Sequence, residues 1–285
     1  MNALKAILLY LVVVVLTGAV LAPWAFHGIQ WLATFEWLEW LGRYPFRRIF
    51  NRSVLVVALI GLWPLWRALG IRTWSAAGYP REDGWWRQVL QGMGVGIVSL
   101  VAAVLLTRRP LQFDRTALEV GLILVKLSCT AVAVALIEET FFRGGLQGAL
   151  QRGMQWRAAV AISSAIYSTV HFLRPGGKIL ADQVDWSTGF VYLGQLTANS
   201  FRGTNVFVGF VSLFLAGALL GWLYYQTGSL YWPLGVHGGW VLANEFVRWL
   251  GGGRIISQPV TWVVLMVVWL ALARRWRRAE FPLPA

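Results

Sequence analysis

The stretch Ala131-Val-Ala-Val-Ala-Leu-Ile137-Glu138-Glu139-Thr-Phe-Phe-Arg143-Gly-Gly-Leu146 decides how the chain is read. An unbroken apolar run meets two adjacent carboxylates, and an arginine follows the second of them by one helical turn. A lone carboxylate in hydrocarbon costs several kcal/mol, so two side by side at the end of a membrane helix need a reason. On a helix Glu139 and Arg143 are spaced i, i+4 and can pair, which holds Glu139 ionised and structural. Glu138 points about 100° away and lacks that arginine. Burial without the arginine would raise its pKa toward the range useful for a general base. The two carboxylates thus divide into a supporter and a base. The plainer alternative is a Glu-Glu-Arg patch resting among lipid headgroups.

Composition places this stretch in a membrane protein. Hydrophobic residues make up 58% of the 285, charged residues only 13%, where soluble domains carry about a quarter. Mean hydropathy is +0.60. Many of the 18 tryptophans, such as Trp24, Trp63, Trp85, Trp86, Trp232 and Trp276, flank apolar runs in the manner of an interfacial aromatic belt. The net charge of +13 lies in short arginine clusters between those runs, which suits anionic headgroups and argues against a nucleic-acid partner. The single cysteine, Cys129, allows no intramolecular disulfide and reads as a small buried hydrophobe.

Apolar runs of about 20 residues predict an all-α bundle of about eight membrane helices. They lie near Ala3–Pro23, Val54–Leu69, Gly92–Thr107, Leu118 to the glutamates, Ala158–Phe172, Val206–Tyr225, Leu230–Leu250 and Val260–Ala273. Trp31–Trp40 and Ile71–Leu90 read as interfacial segments, and Arg174–Thr204 as a long polar loop carrying Lys178, Asp182, Asp185 and Trp186. Gln226-Thr-Gly-Ser229 reads as a tight turn. One integral membrane domain, 1–285, is the simplest organisation, in a multi-pass protein of a bacterial plasma membrane. The basic tail Arg274–Arg278 favours a cytoplasmic C-terminus, while Arg43, Arg47, Arg48 and Arg52 in the first external loop oppose it.

Two of the three histidines also lie in or beside apolar runs. His171 follows Tyr167 by four, so the rings share a helix face. His237 opens His237-Gly-Gly-Trp-Val-Leu-Ala-Asn244, which puts His237 and Asn244 on one wall two turns apart. Gly235, Gly238 and Gly239 would let a neighbouring helix approach closely. Each residue alone reads as packing with a satisfied hydrogen bond; two carboxylates and two imidazoles together read as a reaction centre. His27 has no partner motif and reads as interfacial.

Glu138-Glu139-x-x-x-Arg143, the aromatic-x-x-x-His171 motif and the helix with His237 together resemble the CAAX-protease and bacteriocin-processing (CPBP, or Abi) family of intramembrane glutamate proteases. The flanking Ala216-Gly-Ala-Leu-Leu-Gly-Trp-Leu-Tyr-Tyr-Gln-Thr-Gly-Ser-Leu230 resembles it too, and the core carrying the motifs spans about 115–250. The resemblance implies a helical bundle without a cofactor. Glu138 would activate water, His171 would position it or shuttle the proton, and His237 would help hold the oxyanion. Glu139 and Arg143 would support the site. The family usually has Phe where this chain has Tyr167, a mild change that adds a hydroxyl. It usually has Asn four residues after the last histidine, where this chain has Val241, which cannot donate a hydrogen bond. Asn244, another donor, or an impaired site would account for that departure, and Asn244 is the residue assigned here.

Two other readings stand beside this one. Glu138, His171 and His237 offer a one-carboxylate, two-imidazole zinc set, without the His-Glu-x-x-His helix that usually carries one. A non-catalytic binding or immunity protein of the same family is the other. The expected partners are the lipid bilayer and a membrane-associated protein or peptide substrate.

Overall fold

The computed structural model describes residues 3–108, 110–172, 179–199, 204–253 and 258–276. Lys178 of the polar loop and Arg277–Arg278 of the basic tail lie outside the described residues. Among those described, the regular structure is all helical: α1 Ala3–Leu32, α2 Phe46–Ala68, α3 Trp85–Thr107, α4 Ala117–Glu139, α5 Gly148–Gln151, α6 Trp156–Phe172, α7 Thr188–Asn199, α8 Thr204–Thr227, α9 Tyr231–Trp249 and α10 Val260–Trp276. The eight longest match the eight helices read from the apolar runs. Five stretches are long and apolar enough to cross a membrane: α1, α2, α3, the span Ala117–Gln151 and Val206–Thr227 of α8. The chain is an integral, multi-pass membrane protein.

The boundaries differ from the sequence reading in instructive ways. Pro23 does not end α1, which continues to Leu32 because the sequence stays apolar beyond it. The ring costs one backbone hydrogen bond, which neighbouring groups in membrane proteins often compensate. α3 begins at Trp85 rather than Gly92, so the tryptophan pair forms its first turn instead of a surface segment. The 174–204 region is not all loop, since α7 lies within it. Cys129 is exposed on α4 rather than buried.

The largest correction concerns the glutamates. They do not end a helix. α4 passes through a π-helical segment, Thr140–Gln147, directly into α5, giving a continuous 35-residue span. Its start is set by a capping box. Thr116 Oγ1 accepts from the Glu119 amide at 3.2 Å and Glu119 Oε2 from the Thr116 amide at 2.9 Å. Nothing comparable stops it at Glu139, because the residues that follow are buried and go on forming helix.

The chain forms two compact units. In the one built from 1–70 and 171–202, α1 packs on α2 and α7. Phe26, Phe46, Phe50 and Tyr192 form its aromatic core. The His27 ring nitrogen Nε2 lies 3.1 Å from the Val184 carbonyl oxygen, a structural contact.

In the unit built from 71–170 and 203–285, α9 packs along α3 and α4, and α10 covers α8 and α3. The α3–α9 contact is close because glycines face it from both helices. A Cβ on Gly235 would come 2.1 Å from the Val89 carbonyl oxygen, and one on Gly96 would come 2.3 Å from that of Val236. Gly239 meets α3 in the same way, while Gly238 faces Ala135 of α4 at ordinary distance. The predicted turn before α9 is present, with Gly228 at φ 64°. Leu219, Leu220, Leu223, Trp232, Val236 and Leu265 fill the core between α8, α9 and α10.

Candidate active site

The π-helical segment builds the site floor. A π turn widens the helix by one residue and frees backbone groups, and such turns often occur at functional sites. Here the Phe142 carbonyl oxygen accepts from the Ser163 hydroxyl of α6 at 3.1 Å. Gln147 Nε2 donates to the Gly221 carbonyl of α8 at 2.8 Å. Gly144 allows the 71–84 segment to lie against the turn, since a Cβ there would meet the Ala77 carbonyl oxygen at 2.3 Å. The Tyr79 hydroxyl from the same segment bonds Thr140 Oγ1 at the first residue of the turn. Burial pushes that hydroxyl up to about 12, so it remains protonated.

The i, i+4 pair forms as its spacing predicts. Arg143 Nη1 donates to Glu139 Oε1 at 2.9 Å, with both side chains essentially inaccessible. Arg143 also donates from Nη2 to the Gly217 carbonyl at 3.3 Å. A patch among headgroups would be solvated; this pair is in the core.

His237 joins both glutamates. Its Nδ1 lies 2.7 Å from Glu139 Oε1, and its Nε2 lies 3.7 Å from Glu138 Oε2. An ionised carboxylate can only accept, so Nδ1 carries the hydrogen in this contact. Glu139 thereby orients the imidazole and fixes which nitrogen faces Glu138, as carboxylates do behind functional histidines. Glu138 is the more open of the two, with its side chain 24% exposed against none for Glu139. Glu139 is thus the buried carboxylate of the pair and Glu138 the accessible one.

Tyr167 is the residue the sequence underweighted. It is buried in α6. Its hydroxyl hydrogen-bonds the Glu138 side chain. The Arg143 guanidinium stacks on its ring at 4.6 Å. Phe142 meets that ring edge-on at 5.0 Å, and His237 does so at 6.3 Å. The signal in the sequence was its hydroxyl at a position where the resembled family has Phe.

The structure therefore brings Glu138, Glu139, Arg143 and His237 together, with Tyr167 among them. His171 stands in the last turn of α6, half-buried, and falls in the other compact unit. Asn244 is half-buried two turns along α9 from His237, and its amide donates to Glu245 Oε1 at 3.2 Å. Glu245 in turn pairs with Arg248 at 2.7 Å. Among the described residues, no three His, Cys, Asp or Glu side chains are grouped to hold a metal ion.

Residues 120–243 match a family model described as type II CAAX prenyl endopeptidase Rce1-like. The matched segment holds Glu138, Glu139, Arg143, Tyr167, His171 and His237 and ends one residue before Asn244. No curated protein and no solved structure matches the chain. The family is one of membrane proteases, and its model covers the same motifs that carry the resemblance to CPBP proteins. Through residues 120–243, the chain is similar to the Rce1-like, type II CAAX prenyl endopeptidase model, which is one of the CPBP family.

Proposed function

We propose that the chain is a membrane endopeptidase that hydrolyses a peptide bond of a membrane-associated protein or peptide with water activated by Glu138. The observation that carries this reading is the convergence of Glu138 Oε2 and His237 Nε2 to 3.7 Å, with the imidazole held from behind by Glu139. A water hydrogen-bonded to both atoms fits that separation. Glu138 takes one proton from this water, and the oxygen forms a bond to the scissile carbonyl carbon. The carbonyl electron pair moves to its oxygen. When the tetrahedral species collapses, the C–N bond breaks and the proton on Glu138 passes to the leaving amine. No covalent enzyme intermediate and no cofactor is needed.

His237, whose Nε2 lone pair faces Glu138, accepts a hydrogen bond from the water and helps hold it. An oxyanion donor is needed, and Asn244 of α9 is one candidate. Glu139 and Arg143 keep the imidazole and the helix turn in place. The family description suggests a prenylated CAAX-type tail as the substrate.

Mass spectrometry of membranes containing wild-type protein or Glu138→Gln tests this reading and finds the substrate together. The expected result is a new peptide terminus that appears with the wild type alone. Identical termini from both, with Glu138→Gln present at wild-type level, would refute it.

A further inference from the structure

A proteolytic site needs a donor for the oxyanion, and the side chain one turn after His237 does not supply it. Val241, one turn after His237, has an aliphatic side chain. The Nδ1 hydrogen of His237 is committed to Glu139, so Nε2 of a neutral imidazole presents a lone pair and cannot donate. The Asn244 amide gives one of its two hydrogens to Glu245 at 3.2 Å and stands two turns along α9 from His237. The Tyr167 hydroxyl is in contact with the base itself, Glu138.

We infer that the Tyr167 hydroxyl is the oxyanion donor of this protein, taking the place of the side chain that Val241 does not supply. The inference rests on the proteolytic reading above. In the resting site the phenol donates to the Glu138 carboxylate and holds it in one rotamer. Once Glu138 has taken the water proton it is a neutral acid and a poorer acceptor. The carbonyl oxygen has then gained a full electron pair and is the stronger acceptor. The phenol O–H turns to it without giving up its proton. The donor is used most strongly where charge develops, which is where a hydrogen bond speeds a reaction.

The ring is fixed for this task. Phe142 meets it at 90°, and the Arg143 guanidinium lies 4.6 Å from its centroid. Tyr167 is 4% exposed, so water does not compete for the hydroxyl. A buried hydroxyl also needs a partner at every stage, and the exchange from carboxylate to oxyanion provides one.

The test uses the purified full chain in liposomes and a synthetic peptide spanning the bond found by the membrane comparison above. Five forms are compared: wild type, Glu138→Gln, Tyr167→Phe, Val241→Asn, and Tyr167→Phe combined with Val241→Asn. Tyr167→Phe keeps the ring and its packing. Its kcat is expected to fall by about 100-fold with KM nearly unchanged, the loss typical of one oxyanion donor. Val241→Asn restores a donor at the neighbouring position and is expected to raise kcat of the Tyr167→Phe form by about tenfold. In the presence of Tyr167 the same substitution adds little, a non-additivity that separates a shared role from independent effects. A Tyr167→Phe form with wild-type kcat, while Glu138→Gln is inactive, overturns the inference and leaves the proteolytic reading standing. So does a loss that appears in KM and is not restored by Val241→Asn. A Glu138→Gln form as active as wild type overturns the proteolytic reading itself.

Discussion

Glu138 and Glu139 are neighbours in sequence with opposite surroundings. Glu139 Oε1 accepts from Arg143 and from His237, at 2.9 and 2.7 Å, with no exposure. Replacing one partner of a buried charge pair leaves the other uncompensated, at a cost of about 3–5 kcal/mol. Glu139→Ala is therefore expected to lower the melting temperature in detergent strongly, whereas Glu138→Gln, at the more open position, is expected to melt close to wild type. Equal melting of the two would place the charge balance elsewhere. The Glu139–Arg143 pair was legible in the sequence because helical spacing fixes it. The His237 contact was not, since it joins residues 98 apart and depends on which nitrogen faces which carboxylate. Tyr167 was visible as a departure from the family pattern but was undervalued. Only the packing of α6 shows that its hydroxyl reaches Glu138.

Elements carry a second lesson. Apolar runs located eight helices, because burial in lipid and in the bundle demands them, but they mislocated ends. Hydropathy falls at Glu138, yet the backbone continues through the π-helical segment into α5. What sustains that turn is tertiary: Ser163 on the Phe142 carbonyl, Tyr79 on Thr140, and the 71–84 segment against Gly144. None of these is local in sequence. Gly144→Val is expected to displace the 71–84 segment, because its Cβ would start 2.3 Å from the Ala77 carbonyl oxygen. Overpacking of this kind costs about 1–3 kcal/mol. A lowered melting temperature together with faster proteolysis within 71–84 would show it. An unchanged protein would mean the turn does not depend on that contact. The glycines of α9, by contrast, were read correctly as a close-packing face, and Gly235 and Gly239 meet α3 backbone directly.

For the whole molecule, the bundle class and the membrane setting were open to inspection in composition alone. The span count was harder. α6 and α10, at 17 residues each, are too short to count among the five spans, while α9 is long enough but less apolar, and it carries His237, Asn244, Glu245 and Arg248. A helix that supplies polar groups to a site is screened from lipid by its neighbours and loses the hydropathy signal for that reason. The zinc reading and the glutamate reading also separate at this scale. Activity of the purified protein is expected to persist in excess chelator, and elemental analysis is expected to show no zinc at one per chain. Loss of activity on chelation with recovery on zinc addition would favour the metal reading. The most direct measurement of the central claim is cleavage by the reconstituted protein with Glu138 or Gln at that position, at matched amounts and matched melting temperature. Wild type is expected to cleave, and Glu138→Gln to give nothing above background. A Glu138→Gln form that cleaves at the wild-type rate would contradict it.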